Sequence, residues 1–226
     1  MRALLGGGGA CLLFLSWPVA RAAWEAQKAD AVMMDLRTGH PIDASEIRAG
    51  IAALDRAIAL DASAGRYLDR SELLGGAGLA SGLEVSATER TAWQRRARAD
   101  LEKGLAAAPA RGVAWLRLAA LTDVLDGASR QVLPPLLLSI EDAALIPETW
   151  APRLQVILDC WPYMSDAQKE RITAYMRQTW RVATDRRVFA WAIQSPVDEL
   201  IVRYFLRDEP GAQEELVKLI TDTRRR

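Results

Sequence analysis

Catalysis needs a nucleophile or base held beside a second group that moves its proton, and few residues here can take those parts. The 226 residues contain one histidine, His40, and two cysteines, Cys11 and Cys160. His40 stands in a Gly-His-Pro turn, and helical spacing places no cysteine or serine beside it, so the local sequence assembles no nucleophile-and-base pair. A metal site needs three or four donors, more than one histidine and one cysteine supply. The adjacent acids Glu141-Asp142 and Asp208-Glu209 are the carboxylate pairs open to hydrolytic work. Neighbours on a helix point to different faces, so neither pair converges on one reacting atom. Glycine runs at residues 6–9 and 75–78 lack the Gly-Lys-Ser/Thr ending of a phosphate-cradling loop. The expectation is a protein with no catalytic residues, no metal and no cofactor; the alternative is a hydrolase using carboxylates.

Binding chemistry gathers in one stretch. Residues 169–187 carry six basic side chains (Lys169, Arg171, Arg177, Arg181, Arg186, Arg187) against Glu170 and Asp185, a net of +4, in a chain that as a whole balances 29 basic with 29 acidic residues. Arg177 and Arg181 lie one helical turn apart, with Trp180 on a neighbouring face. Guanidinium groups in a row pair with carboxylates or phosphates. Arg177, Trp180, Arg181, Arg186 and Arg187 are therefore the candidate ligand-binding set, facing an acidic glycan or the acidic surface of an envelope protein partner. The same pattern also describes a solvated basic face answering acids on neighbouring helices. The overall charge balance gives no reason to expect nucleic acid as a partner. Among the tryptophans, Trp150 and Trp161 share a stripe with Leu154, Ile157 and Leu158 and are expected in the core. Trp115 is expected to pack as well, whereas an exposed tryptophan elsewhere would offer a stacking surface for sugar rings.

Helices must position these groups. From Trp24 onward the apolar periodicity is helical, and no run of alternating β-branched residues is present. Helices are predicted over residues 24–37, 44–60, 65–75, 87–108, 112–125, 133–145, 148–161, 166–184, 197–206 and 212–223. Pro41 and Pro109 sit at breaks, Asp126-Gly127 marks a turn, and Ser165 with Gln168 forms a capping box before the stripe Ile172, Tyr175, Met176, Thr179. The glycine run at 75–78 reads as a helix end or bend. The fold class is all-α.

One segment occurs twice. Residues 52–67, AALDRAIALDASAGRY, align without gaps with residues 99–114, ADLEKGLAAAPARGVA, at an offset of 47. Ala52, Leu54, Ala59 and Gly65 match Ala99, Leu101, Ala106 and Gly112, and small residues at Ala57 and Gly104 permit close helix approach. The unit is one helix end, a turn and the next helix start. The run Ala99, Leu101, Gly104, Leu105, Pro109, Ala114, Trp115, Leu118 resembles the junction between tetratricopeptide repeats, although the offset of 47 exceeds the ~34 of that family. The resemblance implies degenerate antiparallel helix pairs forming an α-solenoid, with a groove for a protein partner. The layout as a whole is similar to small envelope proteins that accompany bacterial exopolysaccharide biosynthesis, which implies an adaptor role in biosynthesis or export. A generic structural envelope protein is the plainer alternative.

The beginning of the chain reads differently. Arg2 is followed by an uncharged run over residues 3–20, then Ala20-Arg21-Ala22 places small residues where a signal peptidase reads, for a cut before Ala23. The run also approaches the ~20 residues a bilayer needs, diluted by Gly6 to Gly9. Residues 1–22 are expected to be a signal peptide or a membrane anchor, and residues 23–226 a single all-helical repeat-like domain in the periplasm or held at the inner membrane. Gly8 stands where a lipidated Cys11 would need leucine. After cleavage Cys160 has no cysteine left to bridge, so apolar packing must hold the fold.

Overall fold

The computed structural model describes residues 16–80 and 82–224. Most of the expected signal or anchor segment, residues 1–15, lies outside the described residues. Among those described there are helices and no strand. They are α1 (16–27), α2 (Asp30–Thr38), α3 (Ala44–Leu60), α4 (Ala64–Leu79), α5 (Ala87–Ala107), α6 (Gly112–Asp126), α7 (Leu133–Ala143), α8 (Trp150–Cys160), α9 (Asp166–Val182), α10 (Arg187–Trp191), α11 (Pro196–Phe205) and α12 (Ala212–Arg224). The chain divides into two compact units, one ending at Ala110 and one beginning at Arg111.

Side-chain caps open four of the described helices, α3, α5, α9 and α11. Asp43 accepts from Ser45 N–H at 2.7 Å while Glu46 accepts from Asp43 N–H at 3.0 Å, which opens α3. At α9 the expected box is present: Ser165 Oγ accepts from Gln168 N–H at 3.3 Å and Gln168 Oε1 accepts from Ser165 N–H at 2.9 Å. The predicted helix over 24–37 is two helices, because Lys28 N–H and Ala29 N–H turn back three residues, to Glu25 O and Ala26 O. The repeated segment keeps its form. Asp61 (φ −147°, ψ 98°) and Ala108 (φ −141°, ψ 76°) end α3 and α5 alike, each with its N–H donating at 2.9 Å, to Ala57 O and to Gly104 O.

In the first unit α4 and α5 run antiparallel. Gly104, near the end of α5, lies against Ala64 and Leu68 at the start of α4, while Gly78, near the end of α4, lies against Arg90 and Gln94. Residues 75–78 form the last turn of α4, the helix end expected there, and the helix runs to Leu79, four residues past the predicted boundary. They are helical, and the missing side chain at Gly78 admits Gln94, whose Nε2 donates to Gly78 O at 3.0 Å. Helices α3 and α5 run parallel, since Arg48 pairs with Glu89 and Asp55 with Arg96 at the same sequence separation, 41. Ile47, Leu54, Leu73, Leu74 and Leu101 are fully buried between them. An ion-pair cluster lies inside this unit: Arg70 donates through Nε and Nη2 to both oxygens of Asp100 at 2.7 Å and through Nη1 to Asp55 at 2.7 Å.

The second unit repeats the scheme. Helices α6 and α7 are antiparallel, Gly112 at the start of α6 meeting Asp142 and Ala143 at the end of α7. Helices α7 and α9 are parallel, as the pairs Glu141 with Arg171 and Ala144 with Tyr175 show by their near-equal separations of 30 and 31. The core gathers Leu136, Leu154, Ile157, Met176, Trp180, Phe189, Phe205 and Leu216. Helix α10, five residues long, was not predicted: it is too short to show a period, and Phe189 and Ala190 secure it by burial.

Candidate functional site

The five predicted site residues lie on α9, α10 and the turn between them, and the four arginines each meet a carboxylate. Arg177 donates to Asp208 at 2.7 Å and Arg181 to Glu209 at 2.9 Å. Both acids follow α11, and the Glu209 side chain is only 8% exposed. Arg186 donates to Trp180 O at 2.9 Å and to Glu215 of α12 at 2.7 Å. Arg187 grips Asp185, two residues before it, at 2.6 and 2.8 Å. The pairing is visible in the acid–base chemistry. Hydrogen bonding from Arg181 holds the Glu209 carboxyl below the usual carboxylate range, and Arg187 does the same to Asp185. An anionic ligand at this edge must compete with carboxylates already in place.

Trp180 stands apart from the expected row. It is 3% exposed, edge-on to Phe189 at 5.1 Å between ring centroids, with the Arg186 guanidinium 4.9 Å above its ring. It packs the core and offers no face to solvent. Trp191 of α10 does: it is 52% exposed, and Arg187 lies 5.4 Å from its ring. Trp150 is buried as expected, its Nε1 donating to Ala144 O at 3.1 Å, while Trp161 and Trp115 are half-buried.

The residues weighed for catalysis are engaged in other ways. His40 is exposed, and Thr38 Oγ1 at 2.9 Å and Asp35 Oδ1 at 3.3 Å both meet its Nδ1. A relay needs partners on opposite ring nitrogens. Glu141, Asp208 and Glu209 each hold an arginine. Burial raises the Cys160 thiol to about 11, which keeps it protonated at neutral pH. An apolar groove of about 540 Å³ runs past Leu133, Leu137, Tyr163 and Met164, with Arg130 at its side. Two of its polar side chains, Ser165 and Gln168, serve the cap of α9.

Two features escaped the sequence reading. On α11, Val197, Leu200 and Tyr204 are 62%, 67% and 39% exposed, at helical spacings of three and four, while Ile201, Val202 and Phe205 fill the core behind them. The signal was present, since the helix is apolar on more than one face. The other is Arg153, fully buried on α8. Its position in the stripe Trp150, Leu154, Ile157 marked a core face, but nothing in its residue type did.

These observations define a class: an all-α protein of sequence-adjacent helix pairs, its charged groups largely committed to one another, with an apolar stripe left in solvent. Compared with known families, curated proteins and solved structures, the chain matches none.

Proposed function

We propose that the protein is a non-enzymatic helical-repeat adaptor of the bacterial envelope, facing the periplasm, which binds another protein through α11. The observation that carries this reading is the stripe Val197, Leu200, Tyr204. Val197 and Leu200 expose apolar surface on one helix face, bordered by Tyr204, whose hydroxyl donates to Glu170 at 2.8 Å and whose ring lies 4.0 Å from Arg207. An apolar face with a polar border is the kind of surface that marks a protein contact. The alternation of antiparallel neighbours and parallel next-neighbours in each unit is the geometry by which tetratricopeptide-like arrays present such faces. A photo-crosslinking residue at Leu200, with a control at exposed Asp222, tests the reading in intact cells. The adaptor role requires one discrete adduct at position 200 and none at 222. A smear shared by both positions, or no adduct at all, removes it.

Trp191 favours a second reading in the same pathway. The exposed indole suits the ring face of a sugar, and an acidic sugar's carboxylate would reach Arg187 by displacing Asp185, in keeping with a role in exopolysaccharide biosynthesis or export. Deleting the gene should then lower polymer yield, and Trp191→Ala should reproduce that loss without changing the melting temperature. Full yield in both strains would remove the polysaccharide role while leaving the protein-binding one.

A further inference from the structure

We infer that the groove between the starts of α7 and α9 binds a single-chain alkyl carboxylate, the chemistry of a free fatty acid. The groove, about 540 Å³, lies wholly within the second unit and has the size of a small-ligand site. Two short helical turns build its sides. Arg130–Val132 runs into α7 and brings Leu133, Pro134 and Leu137, while Trp161–Tyr163 leads towards α9 and brings Pro162, Tyr163 and Met164. Leu133 and Met164 are 5% and 6% exposed, so the edge of the core itself forms part of the lining.

The polar inventory selects the ligand. Ser165 and Gln168 are engaged with each other in the cap of α9. The N–H of Leu133 donates to Arg130 O and that of Met164 to Trp161 O at 3.3 Å, and Leu137 lies inside α7. Pro134 and Pro162 have no N–H to give. A peptide laid in such a groove would strip water from its own amides and find few partners to replace it. An alkyl chain has no amide to satisfy, and each methylene covered by Leu133, Leu137 and Met164 favours binding.

Arg130 supplies the only charge in the lining. Its guanidinium is exposed and pairs with no group among the described residues, whereas Arg171, Arg177, Arg181, Arg186 and Arg187 of the same unit each hold an acid. No carboxylate lines the groove, and Asp166, next after Ser165, is exposed and outside it. An apolar trough with one unpaired cation at its side complements a ligand that carries one anionic group on an apolar body. Tyr163, 43% exposed, adds a ring face to that trough.

The test is isothermal titration of the full-length protein, stripped of lipid, with decanoate below its micelle-forming concentration and with octanoate and decylammonium beside it. Decanoate should bind saturably, octanoate about tenfold more weakly for want of two methylenes, and decylammonium more weakly than decanoate. Because Arg130 is exposed and unpaired, Arg130→Gln and Arg130→Glu should melt as the wild type does. The glutamine variant should bind decanoate roughly twofold to fivefold more weakly, and the glutamate variant should reverse the order and prefer decylammonium. Absence of saturable decanoate binding overturns the inference. So does an order of ligands that Arg130→Glu leaves unchanged, which would place the alkyl chain on another apolar surface. The other occupant is tested by displacement with the acetylated, amidated peptide Leu-Glu-Leu-Glu-Leu. If that peptide bound more tightly than decanoate and lost affinity in Arg130→Glu, the groove would be a peptide site and the fatty-acid assignment would fall.

Discussion

Arg153 shows what one residue does in this protein. A fully buried arginine is stable only if every donor finds a partner. All five of its N–H groups do: Nε donates to Ser139 Oγ at 3.2 Å, Nη1 to Tyr175 Oη at 2.5 Å and Ala144 O at 3.5 Å, and Nη2 to Ser139 O at 3.1 Å and Ala143 O at 3.2 Å. The carbonyls belong to the C-terminal end of α7, where the helix dipole favours a cation. Tyr175 completes the set by donating to Ala144 O at 3.2 Å. Arg153→Met removes the fork, leaves buried oxygens short of a donor and should lower the unfolding free energy by about 3 kcal/mol or more. Arg153→Lys should recover less than half of that, since an ammonium cannot span the same oxygens. Urea unfolding of both variants checks the point; a methionine variant within about 1 kcal/mol of wild type would contradict it.

Glycine positions decide how closely the helices approach. A Cβ on Gly112 would lie 2.4 Å from Ala143 Cβ and 2.9 Å from its backbone nitrogen, so α6 and α7 would have to separate. At Gly104 the obstacle is softer, Leu68 Cδ2 at 2.7 Å, although Ala64 O stands behind it at 3.3 Å. Gly65 meets nothing within 4 Å. Alanine at these sites should therefore differ in sign. Gly112→Ala should cost about 2–3 kcal/mol and Gly104→Ala about 1–2 as Leu68 shifts. Gly65→Ala should stabilise by roughly 0.5–1 kcal/mol through helix propensity. Thermal melts of the three variants give the ranking, and a destabilised Gly65→Ala would show that α4 is packed more tightly there than its open flank implies.

Across the molecule, balanced charge is organised as ion pairs rather than spread at random, and this sets the response to acid. Glu25, Glu89, Asp185 and Glu209 are held below the usual carboxylate range by hydrogen bonds from Lys28 and Arg56, from Arg48, from Arg187 and from Arg181. A carboxyl depressed in the folded state stabilises above its unfolded value and loses that contribution as pH falls through the folded one. Stability should thus hold from neutrality to about pH 5 and fall below about pH 4. Asp123 works in the opposite direction. Burial and the charge of Asp159 raise its carboxyl, so the folded state binds that proton more tightly and loses stability as pH rises through the window just above the ordinary aspartate value. Urea midpoints between pH 3 and 7 measure both slopes. Asp123→Asn should abolish the second and leave the first; a first slope that vanished with it would refute the assignment to the ion pairs.

The helices were legible because their signals are local. A cap is settled between a residue and its third neighbour, so Ser165 with Gln168 announced α9 and Pro109 the end of α5, and the repeat at offset 47 foretold two helix ends of the same geometry. Contacts between distant residues were not legible. Gly65 and Gly112 are equivalent in the repeat, yet only Gly112 is closed over, because that depends on which helix lies across it. Arg177, Arg181 and Arg186 read equally as a ligand-binding row and as a face answering acids on neighbouring helices; the structure shows the second, with acids 28 to 31 residues away on other elements that periodicity could not name. Trp180 turned inward because Phe189 completes the core against it. Periodicity on one helix tells that a side chain faces a neighbour; only the assembled unit supplies the neighbour, and with it the difference between a buried pair and a free surface.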